Sequence, residues 1–272
     1  MIKDKRLKQM DNNQMDKNQI ITKARGLYYN LFANFFIVTN DPKNYLGVIS
    51  LINMLKEKSL DDNSQKALEN LSNTLDSISN VELIQEYDDL FYSPMTKNIR
   101  LTASFYDEGV ESGKKRVEML QFIGKTKIRR DEKQFHEYED SIGFIFSFLA
   151  ELCELVAKGE KQYENTIHCI FSEILNDFAD EVAKVIYEHK SSKIYKQLMI
   201  VLHSFLEFER LYLDVGKPKP RNMIKEDNSC ETISDEEVQR RAKNKALKAQ
   251  GPKNQVDESC PIDIAYDVED SI

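Results

Sequence analysis

Apolar residues recur at intervals of three and four along most of the chain between residues 20 and 215, which is the pattern of helices with a buried face. The first such stretch begins near Ile20 and places Leu27, Leu31 and Phe35 on one side of a helix. No segment alternates apolar and polar residues as a half-buried strand does. The pattern therefore predicts an all-α fold.

Residues that begin or end helices separate these stretches. Asp41 is a suitable N-cap and Pro42 a suitable first-turn residue, so the first helix ends near residue 40 and a second one begins. A turn at 61–64 caps the third helix, and a short fourth helix is expected at about 81–91. The later helices are predicted around 117–123, 142–156, 167–186 and 194–211, where 167–186 is either one long helix or a kinked pair.

The two ends of the chain lack this apolar period. Residues 1–19 are rich in Asn, Gln, Lys and Asp and are predicted to form a flexible arm. Residues 216–272 are predicted to form a polar, largely disordered tail, with a candidate short helix at 235–249 that opens on a capping-box sequence. Between them, 20–215 is expected to form one compact helical domain.

One internal segment interrupts the helical pattern. Residues 93–113 carry irregular apolar positions and are punctuated by Pro94, Gly109 and Gly113. A loop of this length in a helical protein is usually functional or crosses the fold in an ordered path. We therefore expect it to contribute to the functional site.

Charge and hydropathy exclude several classes of protein. The chain has 272 residues with a formal net charge of −8, which disfavours general nucleic-acid binding because phosphates need a basic surface. The longest apolar run, residues 142–150, is too short to span a bilayer, so no stable membrane insertion is expected. The N-terminus has no apolar signal region, and the expected location is the cytoplasm.

Residues capable of catalysis or metal binding are few and scattered. The four cysteines form no C-x-x-C pair, and the four histidines are not grouped with them at ligand spacing. No phosphate-binding loop, dinucleotide fingerprint or nucleophile elbow is present. We predict neither a catalytic residue, nor a metal, nor a cofactor, and expect a protein that is not an enzyme.

Two groups of acidic residues remain as candidates for binding. Both fit a solvated surface or the acidic first turn of a helix. Both also fit an acidic rim beside an apolar groove, which would suit a peptide with a basic head and a hydrophobic body. The first group is Glu86, Asp88 and Asp89, and the second is Glu137, Glu139 and Asp140.

The order of residues from 86 to 109 is recognisable. Residues 86–94 read EYDDLFYSP and residues 103–109 read ASFYDEG, followed by VEMLQFIG at 117–124. This succession resembles the TorD/DmsD/NarJ family of redox-enzyme maturation chaperones, whose pattern is Y-x-x-L-F, a nearby Pro, an extended loop and S-x-Y. The resemblance extends over about 20–215, with its motifs concentrated in 86–149.

The next family motif, E-P-x-D-H, is matched only in part. Glu137 and Asp140 stand at the positions of its two acids. Tyr138 occupies the place of the usual Pro, and Ser141 the place of the usual His. Any role that needs the histidine or a proline-fixed turn is therefore not carried over to this chain.

The resemblance implies a TorD-like helical chaperone without catalysis or cofactor. Such proteins bind the twin-arginine signal peptide, or another N-terminal segment, of a molybdenum or tungsten pterin oxidoreductase in the cytoplasm, and some bind the body of the apoprotein. Formate dehydrogenase, nitrate reductase and the N-oxide or sulfoxide reductases all remain open as clients. The chaperone holds the apoprotein until its cofactor is inserted.

Residues in the matching motifs are the candidates for binding the signal peptide. Four acids would pair its arginines, and four aromatic residues would line the site of its apolar part. Ser104 and Ser141 complete the candidate set, although Ser104 and Tyr106 also fit a role in fixing the loop, and Tyr87 and Phe91 a role in the core. The acids are Glu86, Asp89, Glu137 and Asp140, and the aromatic residues are Tyr87, Phe91, Tyr106 and Phe144.

Two other classes of function compete with the chaperone. One is a helical scaffold or regulator that binds another soluble partner, which co-purification would distinguish. The other is an enzyme or a nucleotide- or pterin-binding protein, against which the missing phosphate loop argues.

Overall fold

The computed structural model describes residues 2–37, 42–76, 78–94, 98–131 and 135–218, with side chains described from residue 17. Within these ranges the regular structure is helical, which confirms the predicted all-α fold. The α-helices are α1 Ile2–Phe36, α2 Pro42–Lys56, α3 Asp62–Thr74, α4 Val81–Phe91, α5 Ala103–Glu108, α6 Lys114–Gly124, α7 Ile142–Ala157, α8 Glu164–Ile170, α9 Asn176–Glu188 and α10 Ile194–Leu213.

The first helix is longer than the apolar pattern indicated. Its backbone is helical from Ile2, although the apolar period begins only at Ile20. Lys, Gln, Met and Arg have high intrinsic helix propensity, so a polar sequence can continue a helix that packing has already fixed further along. The backbone of residues 2–19 is thus helical, and the flexibility of the arm 1–19 stays a prediction. From residue 219 onward the predicted tail, 216–272, and its candidate helix lie outside the described residues.

Helices α1 and α7 form the centre of the domain and run antiparallel. Two glycines allow their backbones to approach closely. A Cβ atom on Gly26 of α1 would lie 3.2 Å from the Cβ of Cys153, and one on Gly143 of α7 would lie 3.1 Å from the Cβ of Phe36. The matching of residue 26 with 153, and of 36 with 143, sets the register of the two helices.

Aromatic side chains fill the space between α1, α7 and α10. Tyr29 and Phe32 of α1 both contact Phe146 and Phe205, with ring centroids 4.9–6.2 Å apart. All four are fully buried. Because large aromatic residues carry much of the hydrophobic free energy of a core, this cluster anchors α10 to the central pair. Helices α3 and α9 pack against α10.

The segment predicted as a loop at 93–113 contains a helix. Helix α5 is only six residues long and ends at Gly109, whose φ of 75° is left-handed and suits glycine. So short a helix gives no readable period, which is why the sequence did not reveal it. Backbone hydrogen bonds from Ala103 to Asp140 and from Ile142 to Leu101 (2.9 and 2.8 Å) make the segment an ordered crossing.

Of the two possibilities predicted at 167–186, one long helix or a kinked pair, the structure shows two helices. Helices α8 and α9 are joined by a π-helical turn, Phe171–Leu175, which widens the helix and leaves carbonyl groups without their usual partner. The Nζ of Lys115 on α6 donates a 2.6 Å hydrogen bond to the carbonyl oxygen of Glu173 in this turn. The turn is therefore supported from a neighbouring helix.

Candidate functional site

The segments that carry the sequence motifs meet at the N-terminal end of α7. Residues 137–141 lie between the end of α4 on one side and α5 on the other. Tyr92, just past α4, donates a hydrogen bond of 3.1 Å to Oε1 of Glu137. On the other side, Thr102 and Ser141 form an isolated antiparallel bridge. The motifs, dispersed over more than fifty positions of the sequence, thus form one region of the fold.

Asp140 is locked into this region by Ser104. The backbone N–H and the hydroxyl of Ser104 donate to Oδ2 of Asp140 at 2.9 and 2.5 Å, and both residues are fully buried. Burial raises the pKa of the Asp140 carboxyl, while the bonds from Ser104 oppose that shift. Its other oxygen, Oδ1, has no hydrogen-bond partner among the described residues. In this structure Asp140 holds α5 to the start of α7 and is not displayed to a peptide.

We expect Ser104→Ala to lower the free energy of unfolding by about 1–2 kcal/mol, because a buried carboxylate oxygen loses a hydroxyl donor. The backbone N–H of Arg116, which donates to the Ser104 hydroxyl at 3.2 Å, loses its acceptor in the same variant. Chemical denaturation measures the change. The exposed Ser147 of α7 provides the control, since Ser147→Ala should change stability by less than about 0.5 kcal/mol. Equal effects of the two substitutions would contradict the structural role of Ser104.

The carboxylate of Glu86 is hydrogen-bonded to the start of the last helix, α10. It accepts hydrogen bonds from the backbone N–H groups of Lys193, Ile194 and Tyr195, at 2.7, 2.9 and 2.8 Å. These are among the N–H groups at the start of α10 that have no partner within the helix. Lys193 makes no side-chain cap of its own. Glu86 is therefore the cap of α10 in this structure, and its position differs from that expected of a peptide-binding acid.

Tyr87 and Phe91 belong to the core. Both are buried, and the Tyr87 hydroxyl donates to the carbonyl oxygen of Phe36 at 3.3 Å. The Phe91 ring makes edge contacts with Tyr87 and Tyr195, with centroids 5.0 and 5.6 Å apart. Burial, together with the neighbouring Tyr92, raises the pKa of Tyr87 well above its ordinary value. These contacts agree with the interpretation that Tyr87 and Phe91 have a role in the core.

Tyr106 and Ser141 also make contacts within the fold. The Tyr106 hydroxyl donates to the carbonyl oxygen of Arg100 at 3.1 Å, and its ring lies 5.7 Å from that of Phe178. Ser141 is the N-cap of α7, where its hydroxyl accepts from the N–H of Phe144 at 3.4 Å. Tyr106 thus pins the crossing segment, and Ser141 fixes the start of α7.

A surface of different character lies beside these buried groups. The Tyr92 side chain is 57% exposed, and Asp88, one turn earlier on α4, is exposed as well. Glu137 is half-buried, and burial raises the pKa of its carboxyl while bonds from Tyr92 and Ser141 oppose the shift. We name Asp88, Tyr92 and Glu137 the acidic patch. Asp89 lies nearby on α4, half-buried, and accepts a hydrogen bond from Gln85 at 3.1 Å.

Phe144 and Phe135 line an apolar groove of about 660 Å³. The Phe144 ring lies 5.2 Å from that of Phe135 and 6.0 Å from that of Phe148. We name this cavity the Phe144 groove. Its apolar lining is Ile37, Ile128, Phe135, Phe144, Phe148 and Leu155, and its polar lining is Lys127, Arg129, Arg130, Asp131, Ser147 and Glu151.

Another cavity, of about 680 Å³, lies between α3, α9 and α10. Its lining includes Ala67, Ala183, Met199 and His203, but none of the motif residues. We assign the candidate site to the Phe144 groove and the acidic patch, because the motif segments converge there.

Glu139 belongs to the second acidic group but was not among the residues predicted to bind the signal peptide, and in the structure it is paired with two arginines. Its two oxygens receive Nε of Arg116 at 2.7 Å and Nη1 of Arg130 at 2.6 Å. Burial alone would raise the pKa of Glu139, but the hydrogen bond from Arg116 and the two positive charges lower it. Arg116 lies 23 positions and Arg130 lies 9 positions before Glu139 in the chain, so neither pairing has a local signal in the sequence.

No cluster of three or more His, Cys, Asp or Glu side chains able to hold a metal ion occurs among the described residues. Within the same ranges, no helix has both the length and the apolar character needed to cross a bilayer.

Residues 57–184 match the family model described as nitrate reductase delta subunit. The matched range contains all the quoted motifs and confirms the resemblance to the TorD/DmsD/NarJ family of chaperones. A solved structure, a putative redox enzyme maturation protein from Archaeoglobus fulgidus, aligns at 20% identity with a TM-score of 0.40, over 67% of this chain and 93% of that one. No curated protein matches the chain.

Proposed function

We propose, from the NarJ/TorD-type sequence of residues 57–184, that the protein is a cytoplasmic maturation chaperone for a molybdenum or tungsten pterin oxidoreductase. It binds the N-terminal twin-arginine signal peptide of that client, together with part of the apoprotein, until the cofactor is inserted. Formate dehydrogenase, nitrate reductase and the N-oxide or sulfoxide reductases are the candidate clients.

One observation carries the peptide-binding part of this proposal: the acidic patch and the Phe144 groove adjoin the same short segment, residues 135–141. A twin-arginine signal has two cationic side chains followed by an apolar stretch. Guanidinium groups form strong, often bidentate hydrogen bonds with carboxylates, and the exposed Tyr92 ring offers a face for stacking. The apolar stretch then has a groove lined by Phe135, Phe144 and Phe148 within reach.

The candidate residues divide into two roles under this proposal. Glu137, Asp89 and Phe144 contact the peptide. They are joined by Asp88, from the first acidic group, and by Tyr92, which the sequence did not single out for binding. The others hold the segments that present these contacts. They are Glu86, Tyr87, Phe91, Ser104, Tyr106, Asp140 and Ser141.

Glu137→Gln is expected to weaken binding of a twin-arginine peptide about tenfold, since it removes the charge but keeps an oxygen for the Tyr92 hydroxyl. The probe is a synthetic peptide with two adjacent arginines followed by an apolar stretch, titrated by calorimetry. Its counterpart with two lysines should bind more weakly to the wild-type protein, because an ammonium group cannot bind a carboxylate in the bidentate manner.

The raised pKa of Glu137 gives this test a pH dependence. Only the ionised carboxyl attracts a guanidinium group, so the affinity of the wild-type protein should fall as the pH is lowered from neutral towards the raised pKa of this carboxyl. The Glu137→Gln variant should lack this component. Glu69, an exposed acid on α3, provides the charge-matched control. If Glu69→Gln weakens binding as much as Glu137→Gln, the acidic patch is not the binding site.

Capture of the client tests the proposal at the level of the cell. Tagged protein is isolated from its native cytoplasm, and the proteins bound to it are identified by mass spectrometry. Recovery of an immature pterin oxidoreductase that still carries its signal peptide would support the proposal and identify the client. Recovery of unrelated soluble proteins alone would favour a helical scaffold or regulator.

A further inference from the structure

Two carboxylates of the candidate site lie two residues apart in the sequence, and they differ in whether a cation is bound to them. Glu137 is bound by the hydroxyls of Tyr92 and Ser141 and has no cationic partner in the described part of the chain. Glu139 is buried and bound by two guanidinium groups, those of Arg116 and Arg130. One acid is therefore open to an incoming cation, while the other is already occupied by cations of the same kind.

The bound arginines show how this segment binds guanidinium groups. Arg116 donates to Glu139 through Nε, and its guanidinium carbon lies 4.5 Å from the centroid of the Tyr138 ring. A carboxylate and an aromatic face together form a well-suited guanidinium site. Tyr138 stands where the related family has proline, so this chain has gained the stacking surface at that position.

Of the cations that line the Phe144 groove, Arg130 is the one paired with Glu139. Its side chain lines that groove, and its Nη1 bonds both Oε1 of Glu139 and the carbonyl oxygen of Glu137, at 2.6 and 2.9 Å. Its Nε is buried without a hydrogen-bond partner among the described residues, whereas Arg116 has a further bond to Ser112. Arg130 lies on the non-helical segment that follows α6, and Arg116 lies within α6.

We propose that Glu139 is an arginine-exchange site: one arginine of the client pairs with Glu137, and the second displaces Arg130 from Glu139. This inference rests on the proposed function and explains how the candidate site would select peptides with two adjacent arginines. Arg130 acts as a built-in competitor, which lowers the apparent affinity for any peptide that needs Glu139. A peptide with a single arginine is satisfied at Glu137 and gains nothing from the exchange, so the exchange selects for adjacent arginines.

The test removes the competitor and keeps the carboxylate. Arg130→Gln should tighten binding of the twin-arginine peptide about fivefold or more, because Glu139 is then free of one of its two cations. Binding of the same peptide with its second arginine replaced by glutamine should change less than about twofold. Arg130→Lys should give an intermediate affinity and serves as a second variant should Arg130→Gln fail to fold.

The control is Arg129, on the same segment of the groove rim. It donates to backbone carbonyl oxygens, among them those of Thr126 and Ile128, and forms no ion pair with a carboxylate among the described residues. Arg129→Gln removes the same charge, so it corrects for the general attraction between a less basic rim and a cationic peptide. It should affect the two peptides equally.

Each outcome separates the two proposals. If the wild-type protein binds the twin-arginine peptide and Arg130→Gln behaves like Arg129→Gln, the exchange is wrong and the proposed function stands. If Arg130→Gln selectively favours the twin-arginine peptide, the exchange is supported, including the case in which only the variant binds measurably. If neither protein binds either peptide, twin-arginine recognition and the exchange both fail.

Discussion

Replacing Glu86 with alanine is expected to lower the free energy of unfolding by about 3 kcal/mol. The carboxylate accepts three backbone hydrogen bonds at the start of α10, from Lys193, Ile194 and Tyr195. Ile194 and Tyr195 are buried, so water cannot readily replace the lost acceptor. A hydrogen bond to a charged group typically contributes about 1.5–3 kcal/mol, and the negative charge also favours a helix N-terminus. Denaturation in urea, followed by circular dichroism, measures the change.

Asp88 on the same helix supplies the control for this prediction. Its side chain is exposed, so Asp88→Ala should change the free energy of unfolding by less than about 0.5 kcal/mol. Glu86→Gln should lie between the two, because its amide oxygen can still accept hydrogen bonds without the charge. A Glu86→Ala protein as stable as Asp88→Ala would show that α10 does not depend on this cap.

Helix boundaries were predictable wherever the signal is local. The turn at 61–64 predicted the start of α3, and Asp61 and Ser64 indeed form a reciprocal capping box there. Helix α4 spans the predicted residues. The capping box of α3 and the apolar periods of both helices span only a few residues each, so the sequence alone contains the information.

The contacts that were not predictable are those between distant residues. Nothing local in the sequence around Lys193 shows that its helix is capped by Glu86, which is 107 positions away. The same holds for Arg116 and Arg130, which surround Glu139 from another helix and another segment. An acidic residue in a motif looks the same whether it caps a helix, closes an ion pair or binds a peptide. Only the fold distinguishes these roles.

The two departures from the family motif acquire physical roles in the structure. Tyr138, in place of the usual proline, stacks on Arg116. Ser141, in place of the usual histidine, is a good N-cap for α7, and its hydroxyl also bonds Glu137. The segment 137–141 therefore keeps its acids and its turn by other means. The resemblance indicated the candidate region, while the structural roles of individual residues had to come from their contacts.

Glu209→Ala is expected to be strongly destabilising, by about 3–5 kcal/mol, because it leaves a buried charge without its partner. Arg25 of α1 donates to both oxygens of Glu209 in α10, at 2.6 and 2.8 Å, and the Tyr29 hydroxyl donates a third hydrogen bond at 2.8 Å. Burial alone would lower the pKa of Arg25, yet the bonded carboxylate raises it above its ordinary value. Arg25 stays charged even when Glu209 is removed, because a guanidinium group does not lose its proton at neutral pH. The midpoint of thermal unfolding and the free energy from urea denaturation both report the loss.

An apolar replacement of the whole network separates the cost of an unpaired charge from the contribution of the ion pair. The triple variant Arg25→Met, Tyr29→Phe and Glu209→Met leaves no buried polar group unsatisfied and roughly conserves volume, so it should recover most of the lost stability. Glu154→Ala, at an exposed ion pair with Lys158, should change stability by less than about 0.5 kcal/mol. A triple variant as unstable as Glu209→Ala would mean that the ion pair itself holds α1 against α10. Recovery would instead assign the loss to the stranded arginine, and α1 and α10 would then be held together by the aromatic cluster around Phe205.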